Sequence, residues 1–241
     1  MLKKSYLLTI VLIITFLFVF ILYLNSNKEL RVAHAGGEYN DKTYPNSIDS
    51  INSNFQYTKY FELDLQMTKD KRLVCLHDPI VSDKYFYEIE EEIIKNDYCY
   101  DKILKDLLHK NKEILIITDF KTDNIKGLSF IKDYFKDDSF RFIPQIYYES
   151  EYKKVKDLGF DKIIFTLYRV SNYSNDKISE MIKKMDLFAL TMDPARLRSG
   201  IFEKIDKEKQ FVYIYTVNSF LRYLQYKIFF GADEIYTDSL F

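Results

Sequence analysis

The sequence predicts a (β/α)8 TIM barrel preceded by one N-terminal transmembrane helix, with residues 1–25 as the anchor and residues 30–241 as the barrel domain. Three observations predict it. From residue 30 onward, short apolar runs rich in β-branched and aromatic residues alternate with stretches of helical periodicity, the pattern of a parallel sheet with crossover helices. Eight or nine such units suffice to close the sheet on itself. Residues 6–24 are apolar apart from Thr9 and Thr15, long enough to cross a hydrocarbon core of about 30 Å.

Lys3 and Lys4 precede that apolar segment, and it ends Ile21-Leu22-Tyr23-Leu24-Asn25-Ser26-Asn27 without the small residues of a signal cleavage site. A buried core helix is rarely apolar on every face. The expectation is an uncleaved, single-pass membrane anchor with a cytoplasmic N-terminus and the barrel on the extracytoplasmic side.

The predicted elements follow in order. A run at 30–33 leads into His34-Ala35-Gly36-Gly37, and a helix at 47–55 follows Pro45, with Asn46 placed as its cap. The runs at 60–65 and 73–76 are separated by a gap that holds no helix. Helices at 87–96 and 101–110 precede a run at 114–117; a helix at 125–135 precedes one at 140–146. The pattern continues with helix 149–158 and run 162–167, helix 176–185 and run 187–192, helix 201–208 and run 211–217, and helix 219–229 and run 234–236. An open doubly wound sheet would require a glycine-rich phosphate turn after a strand, and only residues 34–37 approach one.

Composition excludes some classes of function. Lys and Arg total 35 against 36 Asp and Glu, spread along the chain, so there is no electrostatic footprint for nucleic acid. The two cysteines, Cys75 and Cys99, would be permitted but not required to pair in an oxidising compartment, and Cys75 inside a buried strand reads as a packed thiol. His109, near the end of a lysine-rich helix, reads as a solvated residue.

The polar residues of interest cluster at the ends of consecutive runs. Glu62 and Asp64 are one residue apart within an apolar run, so a strand turns them to one face while Phe61, Leu63 and Leu65 face a core. Like charges held side by side call for a cation. Asp119 adds a third oxygen ligand, and the set suits Ca²⁺ or Mg²⁺ rather than a thiophilic metal. Lys121 repeats the one-residue spacing from Asp119 and can meet an anion bridging to that metal, a phosphate being the natural guess. His34 and His77, each just past a run, are placed as the general acid and general base. Asp78 is expected to orient His77 or to start the following loop. Barrel enzymes draw their sites from the C-terminal ends of strands, which would gather these side chains on one rim.

His34-Ala35-Gly36-Gly37, Pro45-Asn46-Ser47, Glu62-Leu63-Asp64, Thr68-Lys69-Asp70, Leu73-Val74 and His77-Asp78 together resemble the N-terminal half of glycerophosphodiester phosphodiesterases. Asp119-Phe120-Lys121, Tyr215-Thr216-Val217-Asn218 and Gly231-Ala232-Asp233 through Tyr236-Thr237-Asp238 are similar to that family's later motifs. The resemblance implies a phospholipase-C-like barrel, a divalent metal on Glu62, Asp64 and Asp119, and hydrolysis of a glycerophosphodiester to glycerol 3-phosphate and an alcohol. It makes Asn46 a phosphate or metal neighbour, and it places Lys121 and Tyr215 at the substrate.

Three positions depart from the family pattern. Ala35 stands where an arginine usually contacts phosphate, Asp119 where a glutamate usually binds metal, and Tyr215 where a tryptophan precedes Thr-Val-Asn. Lys121, and then Arg169, Arg196 and Arg198, are the candidates to replace the missing guanidinium, Arg196 and Arg198 being equally able to cap a helix or face solvent. Asp193 and Asp238, at strand ends, can hold substrate hydroxyls or be structural. Asp-X-Lys without the arginine also resembles sphingomyelinase-D-like phospholipases, which release a cyclic phosphate. A barrel that binds a phosphorylated ligand without turning it over is the other alternative.

Overall fold

The computed structural model describes residues 31–78 and 81–240, together with Tyr6, residues 9–16 and Phe18. Eight parallel strands close a barrel: β1 (Val32–Ala33), β2 (Tyr60–Met67), β4 (Leu115–Phe120), β5 (Phe142–Ile146), β6 (Ile164–Thr166), β7 (Ala189–Met192), β8 (Phe211–Ile214) and β9 (Glu234–Thr237). Each pairs in parallel with the next, and β1 joins β2 on one side and β9 on the other. Among the described residues from 31 onward the helices are α1 (Ile48–Asn54), α2 (Phe86–Asn96), α3 (Asp101–Lys110), α4 (Asn124–Phe135), α5 (Glu149–Asp157), α6 (Asn175–Ile182), α7 (Pro194–Arg198) and α8 (Phe220–Phe230).

Strand alternation sorts the core into two layers. Val32, Tyr60, Ile117, Ile143, Ile164, Ala189, Tyr213 and Tyr236, one from each barrel strand, form a cluster of their own and fill the lumen. Their sequence neighbours Ala33, Phe61, Ile116, Phe142, Phe165, Leu190, Val212 and Ile235 pack outward with the apolar faces of the helices. Both faces of the strands are therefore buried, which is why their sequences read as near-continuous apolar runs.

The run at 73–76 is not a barrel strand. Its residues form β3 (Leu73–Cys75), which folds back antiparallel on the end of β2, Leu65 opposite Cys75 and Met67 opposite Leu73. A parallel crossover needs a dozen or more residues, and the connection here is far shorter, so a hairpin is the only way to pair. Asp101 at the start of α3 secures it, accepting from Arg72 at 2.6 and 2.7 Å and from the Leu73 amide at 3.0 Å.

Two further expectations change. Cys75 is not a free thiol: it is joined to Cys99, both fully buried, with Cα atoms 5.1 Å apart. The predicted helix at 201–208 is replaced by α7 and a single 3-10 turn, Ile201–Lys204. Asp193 accepts from the Ala195 and Arg196 amides with Pro194 in the first turn, so the helix starts earlier, and Gly200 at φ 84° ends it. At α1 the cap is Ser47, accepting from the Ser50 amide, rather than Asn46. Gly36 adopts φ +87° and lies so close to Ser50 that a Cβ would collide with its hydroxyl, which fixes the first loop against α1.

Most of the expected anchor, residues 1–25, lies outside the described residues. Among the described residues, no helix is long and apolar enough to cross a membrane. The described part at 9–16 is helical, and its apolar side chains are exposed.

The disulfide closes a loop with a sequence separation of 24 residues and is expected to contribute about 3 kcal/mol by restricting the unfolded chain. The double substitution Cys75→Ser, Cys99→Ser should lower Tm in thermal denaturation. An unchanged Tm would show that the β2–β3 ladder and the Asp101 contacts hold the hairpin without the disulfide.

Candidate active site

The parallel register of β2 on β4 sets Asp64 beside Asp119, and Glu62 lies two residues back on the same face of β2. Glu62 and Asp64 are buried, and Asp119 is partly so. One oxygen from each of the three lies within 4.8 Å of the others. Each carboxylate is held by its own donors. The Ala35 amide donates to Glu62 Oε2 at 2.8 Å, and Asn46 Nδ2 donates to Asp64 Oδ2 at 2.9 Å while its Oδ1 accepts from the Asp64 amide, also at 2.9 Å. The Tyr147 hydroxyl donates to Asp119 Oδ1, and Arg169 lies over the Tyr147 ring at 4.1 Å.

Lys121 places its ammonium between Asp64 Oδ1 at 2.6 Å and Asp119 Oδ2 at 2.7 Å. Burial works against that charge, but Asp119, Asp64 and Glu62 outweigh it and raise the lysine's pKa. One lysine does not balance three acids. Burial, reinforced by Asp64 and opposed by His34, pushes Glu62 up to about 8, so the cluster still calls for positive charge. The hard oxygen donors and this residual deficit fit a divalent cation such as Ca²⁺ or Mg²⁺.

His34 follows β1. Its Nδ1 is 2.7 Å from Asp238 Oδ1, just past β9, and its Nε2 is 3.9 Å from Glu62 Oε2. Burial lowers its pKa, but the Asp238 hydrogen bond and the charges of Glu62, Asp238 and Asp64 raise it to about 9. Asp238 in turn accepts from Asn218 Nδ2 at 2.5 Å and donates its amide to Asn218 Oδ1 at 2.8 Å. Burial would raise the Asp238 pKa, but His34 and Asn218 hold it below the usual carboxylate range.

His77 reaches the same cavity from the loop after β3, with a side chain 53% exposed and Nδ1 3.4 Å from Asp78. Its loop is braced from below. Gln66, fully buried on β2, donates through Nε2 to the Leu76 carbonyl at 2.8 Å and to the Asp78 carbonyl, the two peptide oxygens flanking His77. The Tyr44 ring lies between the histidines, its centroid 4.8 Å from that of His34 and 5.3 Å from that of His77.

These groups line one cavity of about 300 Å³: His34, His77, Glu62, Asp64, Asp119, Lys121 and Tyr215, with Tyr44, Gln145, Thr166, Tyr168, Thr216 and Tyr236. A larger surface hollow of about 830 Å³ beside residues 39–49 contains neither histidine and none of the three carboxylates. Several of the sequence candidates fall elsewhere. Asn46 does not line the cavity; it is buried behind Asp64 and positions it. Arg196 is likewise outside, its guanidinium spent on the carbonyls of Ser171 and Tyr173 and on Asn175 Oδ1. Arg198 reaches the Tyr226 hydroxyl, at 3.4 Å, and Asp193 caps α7.

Gln66, Tyr44, Tyr147 and Asn218 were not singled out from the sequence, and Asp238 was left with two readings. Gln66 was visible in principle, since it continues the alternation of Glu62 and Asp64 along one strand face. Tyr147 and Asn218 act across about 20 or more residues, where no local spacing announces the partner.

The model of the glycerophosphoryl diester phosphodiesterase family matches residues 35–85, the segment that holds Glu62, Asp64 and His77. No curated protein matches the chain by sequence. Solved structures share the barrel. A glycerophosphodiester phosphodiesterase from Thermotoga maritima is 16% identical with a TM-score of 0.70, over 87% of this chain and 94% of that one. One from Parabacteroides distasonis is 17% identical with a TM-score of 0.67, over 86% and 92%. A phosphodiesterase from Oleispira antarctica, in complex with the product sn-glycerol-3-phosphate, is 14% identical with a TM-score of 0.58, over 87% and 93%. The family match thus covers residues 35–85, and the likeness to these solved structures is one of fold.

Proposed function

We propose that the chain is a metal-dependent phosphodiesterase that hydrolyses a glycerophosphodiester, or a related polyol phosphodiester, to a phosphomonoester such as glycerol 3-phosphate plus an alcohol. The observation that carries this reading is the convergence of three mutually repelling carboxylates, one lysine and two histidines on a single cavity of about 300 Å³. Glu62, Asp64 and Asp119 would hold the divalent cation, which when bound supplies Lewis-acid polarisation of a phosphoryl oxygen. Lys121 adds positive charge beside the same oxygens. His34 is the proton donor in this reading: Asp238 on Nδ1 favours the charged ring and leaves Nε2 facing the carboxylates. His77, on the open side, takes the proton of the attacking water. The water oxygen bonds to phosphorus, the ester P–O bond breaks, and the proton from His34 goes to the leaving alkoxide.

The N-terminal segment is proposed as the anchor that holds the barrel at a membrane. Its apolar sequence from residue 6 to 24 and the exposed, helical character of residues 9–16 support this.

Phosphorus NMR of the protein with a panel of glycerophosphodiesters and lysolipids, plus Ca²⁺ or Mg²⁺, should show a metal-dependent monoester signal. Asp64→Asn should reduce its rate more than about 100-fold with the circular dichroism unchanged. A cyclic phosphate signal would replace hydrolysis by intramolecular attack, and tight ligand binding with no turnover would make the barrel a binding protein.

Gln66→Leu should lower kcat about 10- to 100-fold by releasing the His77 loop while leaving KM and the affinity for metal largely intact. If the residue acts through His77, the same change made on a His77→Ala background should cost little more; independent, multiplicative losses would refute it.

Stability should depend on pH and metal together. In chelator, Glu62 at about 8 and His34 at about 9 both lie above their ordinary values. Each favours the folded state while protonated, and that contribution is lost as pH rises through the folded value. Tm should therefore fall between about pH 5 and 9. Millimolar Mg²⁺ or Ca²⁺ should raise Tm more at the alkaline end, where Glu62 is ionised. A flat profile with and without metal in differential scanning fluorimetry would contradict the assignment.

A further inference from the structure

Helix α8 carries an apolar surface where a barrel helix normally carries charge. Leu221 is 76% exposed, Phe229 77% and Ile228 39%, and helical geometry puts the three on one face with Gln225 and Arg222. The helix contains no acidic residue. Its other face, Tyr223, Tyr226 and Lys227, is buried.

The chain enters the barrel against this helix. Arg31 lays its guanidinium over the Tyr223 ring at 4.6 Å and pairs with Glu234 at 3.2 Å, and Glu234 also accepts from the Tyr223 hydroxyl at 2.9 Å. Between Leu24, where the apolar segment ends, and Arg31 lie residues 25–30, which span at most about 24 Å when fully extended. A membrane that holds residues 6–24 therefore lies within that reach of α8, a helix about 16 Å long.

We propose that α8 lies flat on the lipid surface in which residues 6–24 are anchored, with Leu221, Ile228 and Phe229 in the boundary between headgroups and acyl chains. The proposal rests on the anchored reading and goes beyond it by assigning the face of the barrel that meets lipid. Charge agrees: the exposed face offers Arg222, which lines a hollow between α8 and α7 together with Arg198, and the one acid lining that hollow, Asp193, is already committed to the α7 amides. Apolar side chains from the first turn to the last commit the whole helix to the surface. Because barrel helices run alongside the strands, the barrel axis lies along the membrane plane and the cavity opens sideways, parallel to the bilayer.

The chain contains no tryptophan, so single-tryptophan variants of the full chain report one position each. Leu221→Trp, Phe229→Trp, Phe18→Trp in the apolar segment and Tyr87→Trp on α2 would be reconstituted in phosphatidylcholine and phosphatidylglycerol bilayers, with and without brominated acyl chains. The expected result is a blue-shifted emission and at least twofold quenching by brominated lipid at positions 18, 221 and 229, and none at 87. Quenching at 18 with 221 and 229 behaving like 87 would overturn the docking and leave the anchor standing. No quenching at any position would overturn both. A blue shift at 221 and 229 without quenching would assign the face to protein contact, and equal quenching at 87 would show that no particular face meets the lipid; either overturns the proposal.

Discussion

Pairing of β2 with β4 brings Asp64 and Asp119 side by side, and alternation along β2 adds Glu62. Three carboxylates withdrawn from water repel one another and lose their hydration, a cost that has to be offset by donors or cations. The offsets come from every direction: the Ala35 amide from the first loop, Asn46 from just before α1, Tyr147 from just past β5 and Lys121 from just past β4. The surrounding loops are thus shaped by the carboxylates as much as the carboxylates are placed by the barrel. Asn46 shows the dependence most directly. It adopts φ 45°, a left-handed conformation that asparagine adopts more readily than most residues other than glycine, and in that conformation it grips both the backbone and the side chain of Asp64.

The two histidines are supported by opposite means. His34 is partly buried and locked by Asp238, itself gripped by Asn218, so its ring is fixed and its charged form favoured. His77 is half exposed, and what is fixed is its backbone, through the two carbonyls that Gln66 holds. Replacing Gln66 by a carboxylate would face an acceptor against two carbonyl oxygens, so the amide nitrogen is what the position requires. A rigid donor deep in the site and a more mobile partner at its mouth suit a reaction in which one group meets the buried ester oxygen and the other meets water.

The sequence made the barrel strands and the central acids legible because both are written in local spacing. Period-two alternation exposes Glu62 and Asp64 together, and the one-residue gap between Asp119 and Lys121 repeats it. What it hid depends on contacts between distant segments. A buried strand and a hairpin strand have the same composition, so β3 could be told from a barrel strand only by the shortness of its connection. The Cys75–Cys99 bond depends on that hairpin meeting the loop before α3. Arg196 follows β7, the kind of position where barrel sites are built, yet Asp193 and Pro194 turn the chain into a short helix and its guanidinium turns to carbonyls near α6. The sites of Tyr147 on Asp119 and of Asn218 on Asp238 are likewise set by neighbouring strands.

Strand β1 explains why the ends of the barrel matter to the chemistry. It has only two residues, Val32 and Ala33, yet it closes the sheet between β2 and β9. So short a strand contributes few ladder hydrogen bonds, and charged pairs to β9 and the residue after it supply the rest: Arg31 to Glu234 at one end and His34 to Asp238 at the other. The first pair is fully buried, with Tyr223 and Lys227 also on Glu234, and breaking such a pair from one side typically costs about 3–5 kcal/mol. The closure that completes the barrel is therefore the same contact that orients His34.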